Sequence, residues 1–112
     1  MYRNILQKIL SKSCELSELT ETQIKTSRTE DARMARRVLI EVLANYYTDN
    51  EISNFLGVKR QRVNVIRNES KHNQKRPFNE RILLRDLSMY AKEIINEIEM
   101  NQRLNQNQFP DF

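Results

Sequence analysis

The chain is short of the residues that make tight turns, since its 112 residues include one Gly and two Pro. Hairpins between strands depend on such residues, so their scarcity argues against a β-rich fold and favours helices joined by polar connections. The length also suits one hydrophobic core and leaves too little chain for a second domain. We therefore expect a single all-α domain.

Cysteine and histidine are equally scarce, with one of each in the chain. The lone Cys14 can form no internal disulfide bond, and a structural zinc site takes about four ligands. No apolar run approaches the roughly 20 residues of a membrane span, and residues 1–10 are too short and too polar for a signal peptide. These absences predict a cytoplasmic protein with no metal, no cofactor and no membrane association.

No group of residues has the spacing of a catalytic site. An enzyme needs converging groups, such as a nucleophile beside a base, paired carboxylates or a metal cluster. Cys14 and His72 lie far apart in the sequence. We interpret Cys14 as a half-buried thiol and His72 as an exposed linker residue, so the chain is not expected to be an enzyme.

Basic residues are unevenly distributed along the chain. The formal net charge is +4, but the segment from Lys59 to Arg81 alone carries eight Lys or Arg residues against two Glu residues. A local excess of this kind is typical of a surface that contacts a polyanion. The segment is therefore the first candidate for contact with nucleic acid.

Apolar residues recur at spacings of three and four through most of the chain, as they do in amphipathic helices. Helix starts are indicated by two capping-box pairs, Ser27 with Glu30 and Thr48 with Glu51, and by Asn79 as a single cap. Together these signals predict helices over residues 2–11, 28–46, 49–56, 59–70 and 80–103. The stretch between the first two helices is expected to be a connection with room for one helical turn.

Apolar stripes on two of the predicted helices define the expected core. The central helix has its stripe at Ala35, Val38, Leu39, Val42, Leu43 and Tyr46. Arg37 and Glu41 of the same helix have the spacing of a surface ion pair. The last helix has its stripe at Leu84, Leu87, Ala91, Ile94 and Ile98. The Asn- and Gln-rich residues 105–112 are expected to be a mobile tail after a domain over residues 1–104.

Residues 49–70 have the pattern of a helix-turn-helix. The motif needs apolar residues that fix the crossing of two helices, a small residue where the helices approach, and Gly at the turn. These positions are filled in order by Ile52, Ser53, Leu56, Gly57, Val58, Val63 and Ile66. The other interpretation is an ordinary helical hairpin whose first helix ends at a Gly cap.

In a helix-turn-helix, the first turns of the second helix face base edges in the major groove of DNA. The outward residues expected there are Arg60, Gln61 and Asn64, with Lys59, Val65 and Asn68 at the edge of reach. Arg can bond guanine, Gln and Asn can bond adenine, and Val can touch a thymine methyl group. Phosphate contacts are expected from Lys71, Lys75 and Arg76, which follow in a basic linker. The competing interpretation of each residue is a solvated polar face.

One further pattern is formed by residues 24–28, residues 35–37 and the set Glu51, Ile52 and Gly57. It resembles the C-terminal DNA-binding domain of the bacterial replication initiator DnaA, which has a Trp-repressor-like helical fold. The resemblance implies that Lys25 and Arg28 lie in a basic loop that approaches the DNA backbone or minor groove. Residues 57–61 differ from that family's Gly-Gly-Arg-Asp-His, so the resemblance implies no particular target sequence.

The sequence therefore predicts specific binding of double-stranded DNA through a helix-turn-helix, in control of transcription or replication. The alternative is a protein-interaction module on the same helical scaffold, without DNA contact. Its support is the apolar stripe over residues 84–98, which either packs onto the core or joins two copies of the chain. A homodimer through this helix is thus the second candidate assembly.

Overall fold

A computed structural model describes residues 2–70 and 75–107, and within these ranges the chain is helical and contains no strand. The helices are α1 (Tyr2–Ser17), α2 (Glu21–Thr26), α3 (Glu30–Leu43), α4 (Asp49–Leu56), α5 (Arg60–Ser70) and α6 (Phe78–Asn107). The all-α prediction is confirmed. No helix in the described ranges is both long enough and apolar enough to span a bilayer. Outside these ranges lie Lys71, His72 and residues 108–112 of the predicted tail.

Helix α1 continues to Ser17, well beyond its predicted end at residue 11. The prediction was wrong because the Ser residues of this stretch bond back into the helix instead of ending it. The hydroxyl of Ser13 donates to the carbonyl of Leu10 at 2.6 Å, and the hydroxyl of Ser17 donates to the carbonyl of Ser13 at 2.6 Å. Glu18 then adopts a left-handed conformation with φ of 61°, and the helix ends there.

The predicted connection contains α2, which occupies residues 21–26, where the sequence left room for one helical turn. Thr20 and Gln23 form a capping box at its start. The N–H of Gln23 donates to the Thr20 hydroxyl at 3.1 Å, and the N–H of Thr20 donates to Gln23 Oε1 at 2.9 Å. Ile24 on the inner face is completely buried. A helix too short to be stable alone is thus held by its cap and by packing.

Helix α3 begins at Glu30 with Thr29 as its cap, whereas the sequence predicted Ser27 as the cap. The hydroxyl of Thr29 accepts from the N–H of Ala32 at 3.3 Å. Ser27 is not available for this role because it ends α2, where its N–H donates to the carbonyl of Gln23. The short helix α2 therefore displaced the start of α3.

Helix α3 is the centre of the core, since it packs against α1, α2, α5 and α6. Of its predicted core residues, Ala35, Val38, Leu39, Val42 and Leu43 are buried. Tyr46 is 40% exposed, so its prediction as a core residue was wrong. The reason is that α3 ends at Leu43 and the chain turns through residues 44–47, which removes Tyr46 from the helical stripe.

Helices α4 and α5 form the pair that the sequence predicted, and their turn lies at Gly57. Thr48 and Glu51 form the expected capping box at the start of α4, with N–H to side-chain distances of 3.2 and 2.9 Å. Gly57 is left-handed, with φ of 71° and ψ of 26°, and its N–H donates to the Ser53 carbonyl at 2.9 Å. The hydroxyl of Ser53 donates to the carbonyl of Val58, so Ser53 bonds to both sides of the turn.

Replacement of Gly57 by Ala should lower the free energy of unfolding by about 1 kcal/mol, because an L-residue is strained at positive φ. A methyl group would meet no atom within 4 Å, so backbone strain is the only cost. Gly57→Asn should be milder, since Asn tolerates this conformation better. Urea unfolding checks this against Asn54→Ala, an exposed change within α4 that should be neutral or slightly stabilising. Equal stability of Gly57→Ala and Asn54→Ala would contradict the turn assignment.

Helix α6 begins at Phe78, so Asn79 lies inside the first turn and its prediction as the cap was wrong. The carbonyl of Pro77 accepts the N–H of Arg81 at 3.0 Å, which is the first bond of the helix. Pro suits a position at a helix start because it has no N–H that would need a partner. The helix therefore begins directly after Pro77, and Asn79 does not cap it.

The far end of α6 also differs from the prediction. The helix reaches Asn107, so residues 105–107 of the predicted mobile tail are helical. Its buried face consists of Leu83, Leu87, Ala91 and Ile94, whereas Leu84 and Ile98 of the predicted stripe are only partly buried. This face packs against α1 and α3.

Four charged side chains connect α3 to the start of α6. Both carboxylate residues are buried, Glu80 with 2% and Glu41 with 8% exposure. Arg76 donates to the two oxygens of Glu41, each at 2.6 Å, and its Nη1 lies 3.7 Å from Glu80 Oε2. Arg37 donates to Glu80 Oε1. The predicted pairing of Arg37 with Glu41 was wrong, because each of them satisfies a buried partner beyond its own helix.

Candidate nucleic-acid interface

Helix α5 exposes a polar face because its apolar residues are used in the core. Val63 and Ile66 are buried, with exposures of 0% and 2%, and the helix packs against α3 and α4. All six predicted base-reading residues are exposed, namely Lys59, Arg60, Gln61, Asn64, Val65 and Asn68. Exposure alone does not distinguish residues that read bases from residues that are simply solvated.

Arg67 holds α5 against the connection between α3 and α4. Its Nε donates to Asp49 Oδ1 at 2.8 Å, its Nη1 to the carbonyl of Ala44 at 2.9 Å and its Nη2 to the carbonyl of Tyr47 at 2.9 Å. Carbonyls at and just beyond the end of a helix have no helical N–H partner, and Arg67 satisfies two of them. Sequence analysis missed this role, since only the fold brings residue 67 to this turn.

Asp49 at the start of α4 receives a second hydrogen bond, from Asn64 Nδ2 at 3.1 Å. The pKa of Asp49 is lowered chiefly by this bond; burial opposes the effect, and Arg67 and the charge of Arg60 add to it. Asn64 is also bonded to Asn68, whose Nδ2 donates to Asn64 Oδ1 at 3.1 Å. Arg60 and Asn64 therefore lie on the side of α5 nearest to the start of α4.

The end of α2 lies beside α4. Lys25 Nζ is 5.6 Å from the centre of the Phe55 ring, a distance at which a cation is attracted to an aromatic face. Lys25 is half-buried. Lys25 lies in the last turn of α2, so the expectation that it belongs to a basic loop was wrong, because the Thr20 cap and the buried Ile24 hold this segment as a helix. The loop that contains Arg28 follows directly after α2.

Arg36 of α3 holds the same loop from its inner side. Its Nε donates to the carbonyl of Ile24 at 2.7 Å and its Nη2 to the carbonyl of Ser27 at 2.5 Å. Arg28 follows directly and is exposed. The DnaA resemblance implies that Arg28 and Arg60 touch the same duplex and so lie on one face, and this stays a prediction. The role of Arg36 was missed, because it depends on backbone carbonyls that no side-chain pattern reveals.

The basic linker separates into two kinds of residue. Lys75 is exposed, so the phosphate contact predicted for it stays a prediction. The side chain of Arg76 is only 10% exposed and is bonded to Glu41, so its prediction as a phosphate contact was wrong. The physical reason is that the buried carboxylates of the core need a cation. Lys71 lies outside the described residues.

Outside the helical pair, the described residues offer few reactive or metal-binding groups. Cys14 is half-buried, and its thiol pKa is raised by burial and then by Glu21, while Lys25 opposes the shift. A raised pKa keeps the thiol protonated and weakly nucleophilic at neutral pH. Within residues 2–70 and 75–107, no group of three His, Cys, Asp or Glu side chains is arranged to hold a metal ion.

The apolar stripe of α6 is largely covered inside the chain. Leu87 and Ala91 are completely buried and Ile94 is 8% exposed. What remains at the surface of the described part includes Met89 and Met100, with exposures of 57% and 63%. A homodimer through this helix stays a prediction.

Comparisons of the chain with protein-family models, with curated proteins and with solved structures find no match. The functional interpretation therefore rests on the arrangement of the chain's own residues.

Proposed function

We propose that this protein binds double-stranded DNA through a helix-turn-helix formed by α4 and α5, with α5 in the major groove. The observation that carries the proposal is the division of α5 into a buried apolar side and an exposed polar side. Its apolar residues Val63 and Ile66 are buried, while its first turns expose a row of polar and basic side chains. A helix that packs on the core through its apolar side and exposes a polar side resembles a recognition helix.

The rigidity of the pair supports this interpretation. Gly57 supplies the left-handed turn, Ser53 bonds across it, and Arg67 joins α5 to the turn before α4. Base reading requires side chains to be held in a fixed position relative to the groove. A helix anchored at both ends meets that requirement better than one held by apolar contacts alone.

The exposed residues of α5 suit the reading of base edges. Arg60 has donors for guanine, Gln61 and Asn64 have the donor and acceptor pair that adenine needs, and Val65 can touch a thymine methyl group. Asn64 would exchange its present bond to Asp49 for one to a base. Lys59 and Asn68 lie at the edges of this reading surface.

Outside α5, phosphate contacts are assigned to three basic residues. Lys75 is exposed, and Lys71 precedes it in the same basic segment. Arg28 is exposed in the loop before α3, where the DnaA resemblance implies contact with the backbone or minor groove. Contacts of this type orient a protein on the duplex without selecting a sequence. We propose a role in control of transcription or replication, without catalysis.

A protein-interaction module without DNA contact is the weaker alternative. Its support was the stripe over residues 84–98, and Leu87, Ala91 and Ile94 of that stripe are buried against the chain's own helices. A surface already covered has little apolar area left for a partner. On the exposed polar face of α5, by contrast, Asn64 is the one residue bonded to another helix within the described residues.

Selection of bound sequences from a random duplex pool tests the proposal, followed by binding of variants to the selected site and to random duplex. Arg60→Ala should lose about 1–3 kcal/mol of discrimination between the two, because a base contact is removed. Lys75→Ala should weaken binding to both duplexes alike, because a phosphate contact is removed. Arg85→Ala removes an exposed charge from α6 and should change neither affinity.

The possible results test the proposed function and the orientation of α5 separately. Absence of duplex binding in dilute salt would falsify the proposed function itself. If Arg60→Ala keeps the full ratio of specific to random affinity while Lys75→Ala reduces it, the orientation of α5 in the groove is wrong. A two-fold symmetric selected site would indicate that two copies bind together.

A further inference from the structure

Three arginines come together where α5 meets α3. Arg33 and Arg36 stand three residues apart on α3, so they share one side of that helix. Arg62 belongs to the first turn of α5, which packs against α3. None of the three was assigned a role by sequence analysis.

Arg36 is held by backbone carbonyls, whereas the other two arginines are exposed to solvent. Its Nε and Nη2 are held by the carbonyls of Ile24 and Ser27, at 2.7 and 2.5 Å. Its Nη1 forms no hydrogen bond within the described residues. Arg33 and Arg62 are both exposed. A half-buried anchor with one unused donor group thus lies near two exposed guanidinium groups.

The charges of this cluster are not balanced by the protein. The pKa of Arg36 is lowered by burial first, and then by the positive charges of Arg33 and Arg62. Within residues 2–70 and 75–107, none of the three forms an ion pair with a carboxylate. Arg37, Arg67 and Arg76 of the same domain do have such partners. The cluster is therefore a place where an anion would relieve repulsion.

We propose that Arg33, Arg36 and Arg62 together bind one phosphate of the DNA backbone, beside the groove that α5 enters. Guanidinium groups suit this ligand because their planar pairs of N–H donors match two phosphate oxygens. The location also fits, since the cluster includes the first turn of the reading helix. Arg28, next to the anchored Ser27, extends the same basic surface. This inference rests on the proposed function and adds the site that orients the helix.

Salt dependence of duplex binding tests the site. Each phosphate contact adds about one unit to the slope of log affinity against log salt concentration. The double variant Arg33→Gln/Arg62→Gln should reduce that slope by up to about one, equally on selected and random duplex, and each single variant should reduce it by a smaller amount because the other arginines still contact the same phosphate. Arg85→Gln, which removes an exposed charge on α6, should leave it unchanged. Both test residues are exposed, so urea unfolding of the variants should match the wild-type chain.

A second measurement uses inorganic pyrophosphate in place of DNA. It should raise the melting temperature of the wild-type chain and not that of the double variant Arg33→Gln/Arg62→Gln. An equal rise in both proteins overturns the assignment of the anion to this cluster. If the wild-type chain binds duplex and the double variant Arg33→Gln/Arg62→Gln keeps its slope, the inference fails while the proposed function stands. If the wild-type chain binds no duplex, both fail.

Discussion

Replacement of Arg76 by Met should destabilise the protein by about 3–5 kcal/mol, the cost of removing one partner from a buried ion pair. Glu41 would lose both of its hydrogen bonds from Arg76 while it is only 8% exposed. Glu80 would keep Arg37 but lose the second cation, 3.7 Å from its Oε2. Small domains have about 5–15 kcal/mol of stability in total, so the folded population should fall sharply. Urea unfolding followed by circular dichroism measures the loss.

Two controls distinguish this network from a general effect of the linker. Lys75→Met changes the neighbouring, exposed residue and should alter stability by no more than about 0.5 kcal/mol. The double variant Arg76→Met/Glu41→Leu should recover much of the loss, because apolar residues can replace a buried ion pair at little cost. A single variant as stable as Lys75→Met would show that Arg76 does not hold the linker to α3.

Replacement of Arg67 by Ala should cost about 3 kcal/mol, on the basis of about 1 kcal/mol for each of the hydrogen bonds to Asp49, Ala44 and Tyr47. The loss would leave the carbonyls of Ala44 and Tyr47 without this donor and would release Asp49 at the start of α4. Thermal and urea unfolding measure the effect. The side chain of Arg67 is 29% exposed, so water can compensate only part of the loss.

Arg67→Lys tests whether the positive charge of Arg67 or the geometry of its guanidinium group stabilises the protein. A Lys ammonium keeps the positive charge, but it lacks the planar fork that bonds three acceptors in different directions. We expect Lys to recover only a minor part of the stability lost in the Ala variant. Glu69→Ala, an exposed neighbour on α5, serves as the matched control. Full stability of Arg67→Lys would mean that attraction to Asp49 accounts for the whole contribution.

The part of the fold that the sequence predicted best is the α4–α5 pair. Its start depends on a capping box between Thr48 and Glu51, and its turn depends on the left-handed conformation of Gly57. Both signals act within a few residues, so they can be recognised without knowledge of the fold. The buried positions of Val63 and Ile66 followed from the same local spacing.

Predictions based on local signals failed where two signals competed for one segment. Ser27 has the spacing of a cap for α3, yet it ends α2 and leaves the role to Thr29. Ser13 and Ser17 were interpreted as part of a connection, yet they bond back into α1. A short helix such as α2 has little stability of its own, so its existence depends on packing that local patterns do not contain.

Composition and spacings of a few residues are enough to predict the helical class, the position of the Gly57 turn and the excess of basic residues from Lys59 to Arg81. The tertiary structure decided which arginines are available to a ligand. Arg76 is bonded to Glu41 and Arg67 to the turn before α4, whereas Arg62 and Arg33 have no carboxylate partner within the described residues. The physical reason is that ion pairs and carbonyl contacts join residues distant in sequence, and only the folded chain brings those groups within bonding distance.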